Sequence, residues 1–279
     1  MVTRDIGAEF RELHRPGNPF VLANAYDLGS AKVLTSLGAQ AIGTTSNGHA
    51  FTLGRVDMGY VTRDEAMAHA QDIVAATHLP VSGDFENGYG KDPETVAETI
   101  KMAAEIGLAG CSIEDTDMPG TGAYDFDLAV ERIKAAASAA RSLSKDFVLV
   151  ARADGIMNGA YDIEEALRRL RAFDDAGADC LYAPLPKSMA DLKRICASTD
   201  KPVNALAVGQ YANCSRSDFA AAGVARISLG SGLARTTHAA LINAARRILS
   251  DGDFTDILNA APGTEVEALL KGEKGDQNV

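Results

Sequence analysis

The sequence predicts one closed (β/α)8 barrel of the TIM type, an α/β fold, with extra helices at its C-terminal end. Three observations predict it. Eight short runs rich in β-formers alternate with longer amphipathic runs, the signature of parallel βα units. A phrase that ends a helix and opens a strand recurs four times, which implies one repeated joint. The 279 residues fit a single barrel of about 250, and no composition shift marks a second domain.

In chain order, the strand candidates are residues 20–23, 41–44, 80–83, 111–113, 148–150, 180–182, 202–204 and 226–229. Helical patterns fill 63–77, 93–106, 128–143, 163–176 and 188–196. Thr62 and Glu65 form a capping-box pattern, and Asp92 stands as an N-cap before a first-turn Pro93. The four joints place Gly38, Gly107, Gly177 and Gly223 where a left-handed helix cap is expected. Right-handed crossovers between eight strands favour closure over an open doubly wound sheet. The barrel is expected over residues 1–250. Apolar positions at Ile257, Leu258, Val266, Leu269 and Leu270 predict a helical extension over 251–279 that ends in a flexible charged tail from Lys271.

Composition narrows the function classes. A net charge of −11 argues against a nucleic-acid binder, which would carry a basic footprint. The first 17 residues lack the apolar core of a signal peptide, and no run approaches a membrane span, so a cytoplasmic location with no membrane partner is expected. Cys111, Cys180, Cys196 and Cys214 show no C-x-x-C pairing and read as reduced thiols; only Cys214, in a polar segment, is a candidate reactive one.

Barrel chemistry collects at the C-terminal ends of the strands. Asp84 and Glu86 follow the third strand, and residues two apart on a strand face the same way. Two carboxylates so crowded repel unless a cation or proton neutralises them. Oxygen ligands suit Mg²⁺ or Mn²⁺ rather than zinc. For the pair alone, a strand end fraying into solvent is the competing reading. Glu114 and Asp115 end the fourth strand, Arg152 and Asp154 the fifth and Asn204 the seventh, while Asp57 lies in the long loop after the second. Converging carboxylates and an arginine would bind a divalent ion and, through it, a small carboxylic acid. Capping by Glu114 or Asp115, and an ion pair from Arg152 that only closes the mouth, are the structural alternatives.

Two glycine-bearing loops extend this set. Thr44-Thr45-Ser46-Asn47-Gly48 carries no bulky side chain, so its amides could cradle a carboxylate; a simple turn competes. Gly230-Ser231-Gly232 follows the eighth strand, where many barrels hold phosphate. His49 is expected to be solvated rather than catalytic. Tyr89 and Thr121 are the candidate proton shuttles.

Taken in order, Asn24-Ala25-Tyr26-Asp27 with Ser30-Ala31, the 41–46 run, Asp84-x-Glu86-x-Gly88-Tyr89-Gly90, Ser112-Ile113-Glu114-Asp115 and Ala151-Arg152-x-Asp154 resemble the isocitrate lyase and phosphoenolpyruvate mutase superfamily, across about residues 10–249. The resemblance implies Mg²⁺ held chiefly at Asp84, with help through water from Asp57, Glu86 and Glu114. It implies an oxo-acid carboxylate at Thr45, Ser46 and Arg152, with Tyr26 beside it. It also implies a homotetramer of dimers that exchange their eighth helix.

The chain departs from that pattern where the family's reactions diverge. The carbon–carbon lyases resemble one another in a Lys-Lys/Arg-Cys-Gly-His loop after the fourth strand; here residues 116–123 read TDMPGTGA, without cysteine, lysine or histidine. Gly43 stands where a methylisocitrate-type lyase has a basic tyrosine. Of the Lys-x-x-Pro-Lys-x-Asn/Thr pattern of the phosphorus–carbon branch, only Pro119 survives. The expectation is therefore a Mg²⁺-dependent lyase that cleaves or decarboxylates a small 2-oxo or 2-hydroxy dicarboxylate through an enolate-like state, oxaloacetate-type acids fitting best. Phosphonopyruvate chemistry and a non-catalytic oxo-acid binder are the alternatives.

Overall fold

The computed structural model describes residues 4–272, so the tail expected to be flexible lies, from 273 onward, outside the described residues. Eight parallel strands close in sequence order: β1 Phe20–Asn24, β2 Ala41–Gly43, β3 Val81–Asp84, β4 Gly110–Glu114, β5 Val148–Arg152, β6 Cys180–Tyr182, β7 Val203–Leu206 and β8 Arg226–Ser228. Closure is the pairing of β8 back to β1, Ser228 against Leu22. The predicted barrel is thus the observed one, with strand ends shifted by one or two residues.

Local signals explain the joints. Gly38, Gly107, Gly177 and Gly223 all adopt φ between 90° and 101°, a region costly for residues with a Cβ, and each turns a helix end into the next strand. Thr62 and Glu65 form the expected reciprocal capping box. Asp92 does not cap with its side chain; Pro93 at the first helical position already removes one donor that such a cap would serve. Several helices escaped the periodicity reading, among them Leu28–Ser36, Ser46–Thr52 and Arg216–Ala221, each too short to show a clear apolar stripe.

Apolar residues pack in two layers. Ile42, Phe85, Ile100, Ile113, Leu149 and Leu170 fill the space between strands and outer helices. Inside the barrel, Phe20, Leu22, Val148, Val150 and Cys180 pack with Phe10, which the N-terminal helix Ile6–Leu13 brings across the lower end. Arg11 pins that helix to the base by ion pairs to Asp146 at 2.6 Å and Asp179 at 2.7 Å. The lower end is plugged, which leaves the opposite mouth for chemistry. Cys111 and Cys180 are buried as expected, and Cys214 is half-buried against the cluster of Tyr211 and Phe219.

The C-terminal part behaves differently. Helix Gly232–Asp251 buries only Ala234, while Leu241 and Leu249 are exposed. Helix Gly263–Lys271 packs on Leu28–Ser36, where Ser36 Oγ donates to the Leu269 carbonyl at 2.6 Å. Among the described residues no helix is long and apolar enough to cross a membrane.

Candidate active site

Three chemistry-bearing residues are strand termini: Asp84 ends β3, Glu114 ends β4 and Arg152 ends β5. Strand register sets Glu114 directly beside Arg152. The Arg152 guanidinium lies between carboxylates, 2.8 Å from Asp84, 2.9 Å from Glu114 and 2.6 Å from Asp154. Asp154 is fully buried and binds Arg152 in a two-pronged contact through Nε and Nη2, which fixes the plane of the fork. Burial pushes the Asp154 carboxyl up to about 6, against the pull of Arg152. Burial likewise raises Glu114 well above the carboxylate range.

Beside this group stand Asp57 and Glu86. The pleat does not aim Glu86, because β3 ends at Asp84 and Glu86 has φ 45°. A left-handed turn swings it back, with Met58 at φ 76° and Tyr89 at φ 63° nearby; such outliers persist where surrounding structure over-determines them. Glu86 Oε1 accepts from the Gly59 amide at 3.2 Å. Its Oε2, and Asp57 Oδ1, are buried with no hydrogen-bond partner. Burial pushes Glu86 up to about 7, with Asp57 and Asp84 adding to the rise, and burial and Asp84 raise Asp57.

Orphaned, mutually repelling carboxylate oxygens are a donor set that fits a hard divalent cation. Among the described residues no three His, Cys, Asp or Glu side chains converge as a ready-made cage.

The 44–48 segment is a helix start rather than a loop. Thr45 is the N-cap of Ser46–Thr52, and the Ser46 amide donates to Asp84 Oδ2 at 3.0 Å, so that amide already serves a carboxylate of the protein. Thr44 Oγ1 accepts from the Asp84 amide at 2.7 Å. Asn24 latches the closure: its Oδ1 accepts from the Leu229 and Gly230 amides at 2.8 and 3.1 Å, and its Nδ2 donates to the Thr44 carbonyl at 2.7 Å. A Cβ on Gly43 would stand 2.7 Å from that same Nδ2 and 2.9 Å from Leu22, so those side chains fill the space a larger residue would need.

Thr45, Ser46, Asn47, Asp57, Asp84 and Arg152 line one cavity of about 270 Å³ at the mouth. Other predicted residues lie apart from it. Asn204 is inside the barrel below, donating to Ser228 Oγ at 2.9 Å. Gly48 is buried against Thr45 and Tyr26, and the Tyr26 carbonyl contacts His69 Nε2 at 2.9 Å. Tyr89 is packed behind Asp84 and Glu86 in a separate small void. Thr121 is exposed on the 116–123 loop, whose ends are joined by the Asp117 amide donating to the Gly122 carbonyl at 2.8 Å. Asp115 points away from the mouth to Arg169 and Tyr161, at 3.0 and 2.6 Å.

The expectation for His49 is corrected: it is buried and stacked on His69, ring centroids 3.8 Å apart. Burial, then His69, lowers its pKa to about 4. The sequence reading also missed cavity residues, notably Tyr182, Ser82, Ser112 and Arg226. The available signal was the polar Arg226-Ile227-Ser228 alternation in a strand otherwise read as apolar.

The chain matches the phosphoenolpyruvate phosphomutase family model over residues 10–249. It is 32% identical to an uncharacterised protein of Mycobacterium tuberculosis over 94% of this chain and 95% of that one. It is 33% identical to 2,3-dimethylmalate lyase of Eubacterium barkeri over 67% of this chain and 66% of that enzyme. A crystal structure from Burkholderia cenocepacia J2315, provisionally assigned as a lyase/mutase, superposes with a TM-score of 0.90 at 41% identity, covering 94% of each chain.

Proposed function

Because the chain belongs to the phosphoenolpyruvate phosphomutase family, within the isocitrate lyase and PEP mutase superfamily, we propose that it is a Mg²⁺-dependent lyase acting on a small 2-oxo or 2-hydroxy dicarboxylate. The observation that carries this is Asp84 and Glu114 on Arg152, with Asp57 and Glu86 beside Asp84 and their Oδ1 and Oε2 atoms orphaned. Asp84 would hold the ion, with Asp57, Glu86 and Glu114 orienting its waters. When bound, the ion would polarise the substrate carbonyl and draw charge from a forming enolate. Mn²⁺ suits the same oxygens.

The chain's own residues supply the rest. Arg152, its plane fixed by Asp154, neutralises charge as the C–C electron pair moves toward the carbonyl. Thr45, Ser46 and Asn47 bind the acid's carboxylate at the rim. Decarboxylation of an oxaloacetate-type acid suits the site best, since it needs no base to remove a hydroxyl proton and Gly43 offers none. Of the two proton shuttles, Tyr89 has the better support: it lies behind Glu86, whereas Thr121 is solvent-facing.

Phosphonopyruvate chemistry keeps one supporting observation, since Gly230, Ser231 and Arg235 also line the cavity. The nearly naked helix Gly232–Asp251 supports exchange with a partner barrel in a homotetramer. The test is a Mg²⁺-supplemented turnover screen of oxaloacetate, alkylated malates, methylisocitrate and phosphonopyruvate, with oxalate binding as the non-catalytic readout. Oxalate bound equally with and without Mg²⁺ would overturn the reading; tight binding with no turnover would favour a binder.

A further inference from the structure

Arg226 opens β8 from inside the barrel and is 3% exposed. The alternation of a strand puts it on the inner face with Ser228. Register runs from Arg226 through Asn204 and Tyr182 round the wall to Arg152. Its Nε donates to Asn204 Oδ1 at 3.0 Å, while Nη1 is buried with no partner. Other arginines in the interior are better satisfied. Arg152 meets three carboxylates, Arg169 two and Arg132 three backbone carbonyls, those of Asn87, Gly90 and Lys91, whereas among the described residues Arg226 forms no salt bridge and one side-chain hydrogen bond.

A guanidinium does not shed its proton in a protein, so this charge persists. Buried charge is normally paired or used. Below it, His14 Nε2 is also unpartnered, Nδ1 being engaged with the Phe10 carbonyl at 2.8 Å. A neutral imidazole could accept a hydrogen bond from Nη1, directly or through water. It cannot cancel the charge.

Arg226 faces the cavity that holds Asp84 and Arg152, whose deeper wall carries the hydroxyls of Ser82, Ser112 and Ser228. At ~30 Å³ per water, a cavity of about 270 Å³ has room for a short-chain acid.

We propose that Arg226 is a second anion pole: it receives the distal carboxylate of a dicarboxylate whose 2-oxo acid end lies at Asp84 and Arg152. The assignment rests on the function proposed above and names what that site selects. A monoanionic 2-oxo acid would leave Arg226 buried and uncompensated, so the pole discriminates by the distal charge. No residue of the 116–123 loop is required for this selection.

The experiment is calorimetric titration of the Mg²⁺-loaded full chain with oxalate, with four- and five-carbon 2-oxo diacids, and with their terminal monoamides. The parent should bind at least one diacid at least ~30-fold more tightly than its own monoamide. Arg226→Gln should reduce that preference to within about threefold, and Arg226→Lys, which restores the charge, should recover part of it. Two results overturn the assignment while leaving oxalate binding, and hence the Asp84 site, in place: equal affinity of diacid and monoamide in the parent, or a preference that survives Arg226→Gln. The monoamide comparison needs no variant and stands if Arg226→Gln fails to fold. A larger preference for phosphonopyruvate over pyruvate than for any diacid over its monoamide would overturn the carboxylate in favour of a phosphonate. Failure of oxalate to bind the parent would remove the underlying function and this pole with it.

Discussion

Asp84 and Arg152, the terminal residues of β3 and β5, meet at 2.8 Å across the barrel mouth. In the sequence they are 68 residues apart, and the pairing of both strands with β4 makes them neighbours. Asp84 also accepts from the Ser46 amide, so it joins two strand ends and a helix start into one polar floor. An acid here has two claims on it, one from the arginine and one from any cation.

Asp84→Asn keeps the shape and the hydrogen bond from Ser46 but removes the charge. Mg²⁺-dependent oxalate binding should vanish in calorimetry, and turnover on the best substrate should fall on the order of 10²–10³-fold. Retention of parental affinity would move the metal site elsewhere.

Asp115 adjoins Glu114 yet does a different job. Its Oδ1 accepts from the Asp154 amide at 2.9 Å, and its Oδ2 from Tyr161 and Arg169. Asp115→Asn should therefore lower unfolding stability by about 2 kcal/mol in urea titration, because it removes one of the two carboxylates on the buried Arg169 and leaves Glu165 alone to balance it. Oxalate affinity should change less than about tenfold.

Gly43→Ala places a methyl against Asn24 and Leu22. The melting temperature should drop, with a loss of about 1–3 kcal/mol. Gly43→Tyr should lose more and should not confer methylisocitrate cleavage, because Leu22 and Asn24 already occupy that space.

His14 gives a pH signature at the closed end. Burial, followed by the charge on Arg226, lowers its pKa to about 3, below an unfolded value near 6.5. The folded state therefore keeps it neutral while the unfolded state takes up a proton. Its contribution is complete above pH 6.5 and declines as pH falls from there toward 3, by about 1.4 kcal/mol per unit. Between pH 6.5 and 5, the parent should lose about 2 kcal/mol more stability in urea than His14→Gln; equal losses would contradict this.

Part of the site was legible because strand ends can be read from local patterns. Apolar runs and glycine caps located the ends of β3, β4 and β5, and with them Asp84, Glu114 and Arg152. Barrel geometry then implied that they converge. Glu86 was named for the wrong reason, since its direction comes from a positive φ that no pleat rule supplies. The 44–48 segment looked like a loop because a seven-residue helix is too short for a periodic signal.

By itself, the sequence determined the barrel, its order of strands and the chemical character of its mouth, because propensities, caps and side-chain alternation act over a few residues. Tertiary structure decided which of those residues share a space. It turned Asp115 outward, buried His49 on His69, left Thr121 in solvent and set Arg226 uncompensated in the cavity wall. Such outcomes depend on contacts between residues distant in the chain, where burial and pairing of charge are settled only after the barrel closes.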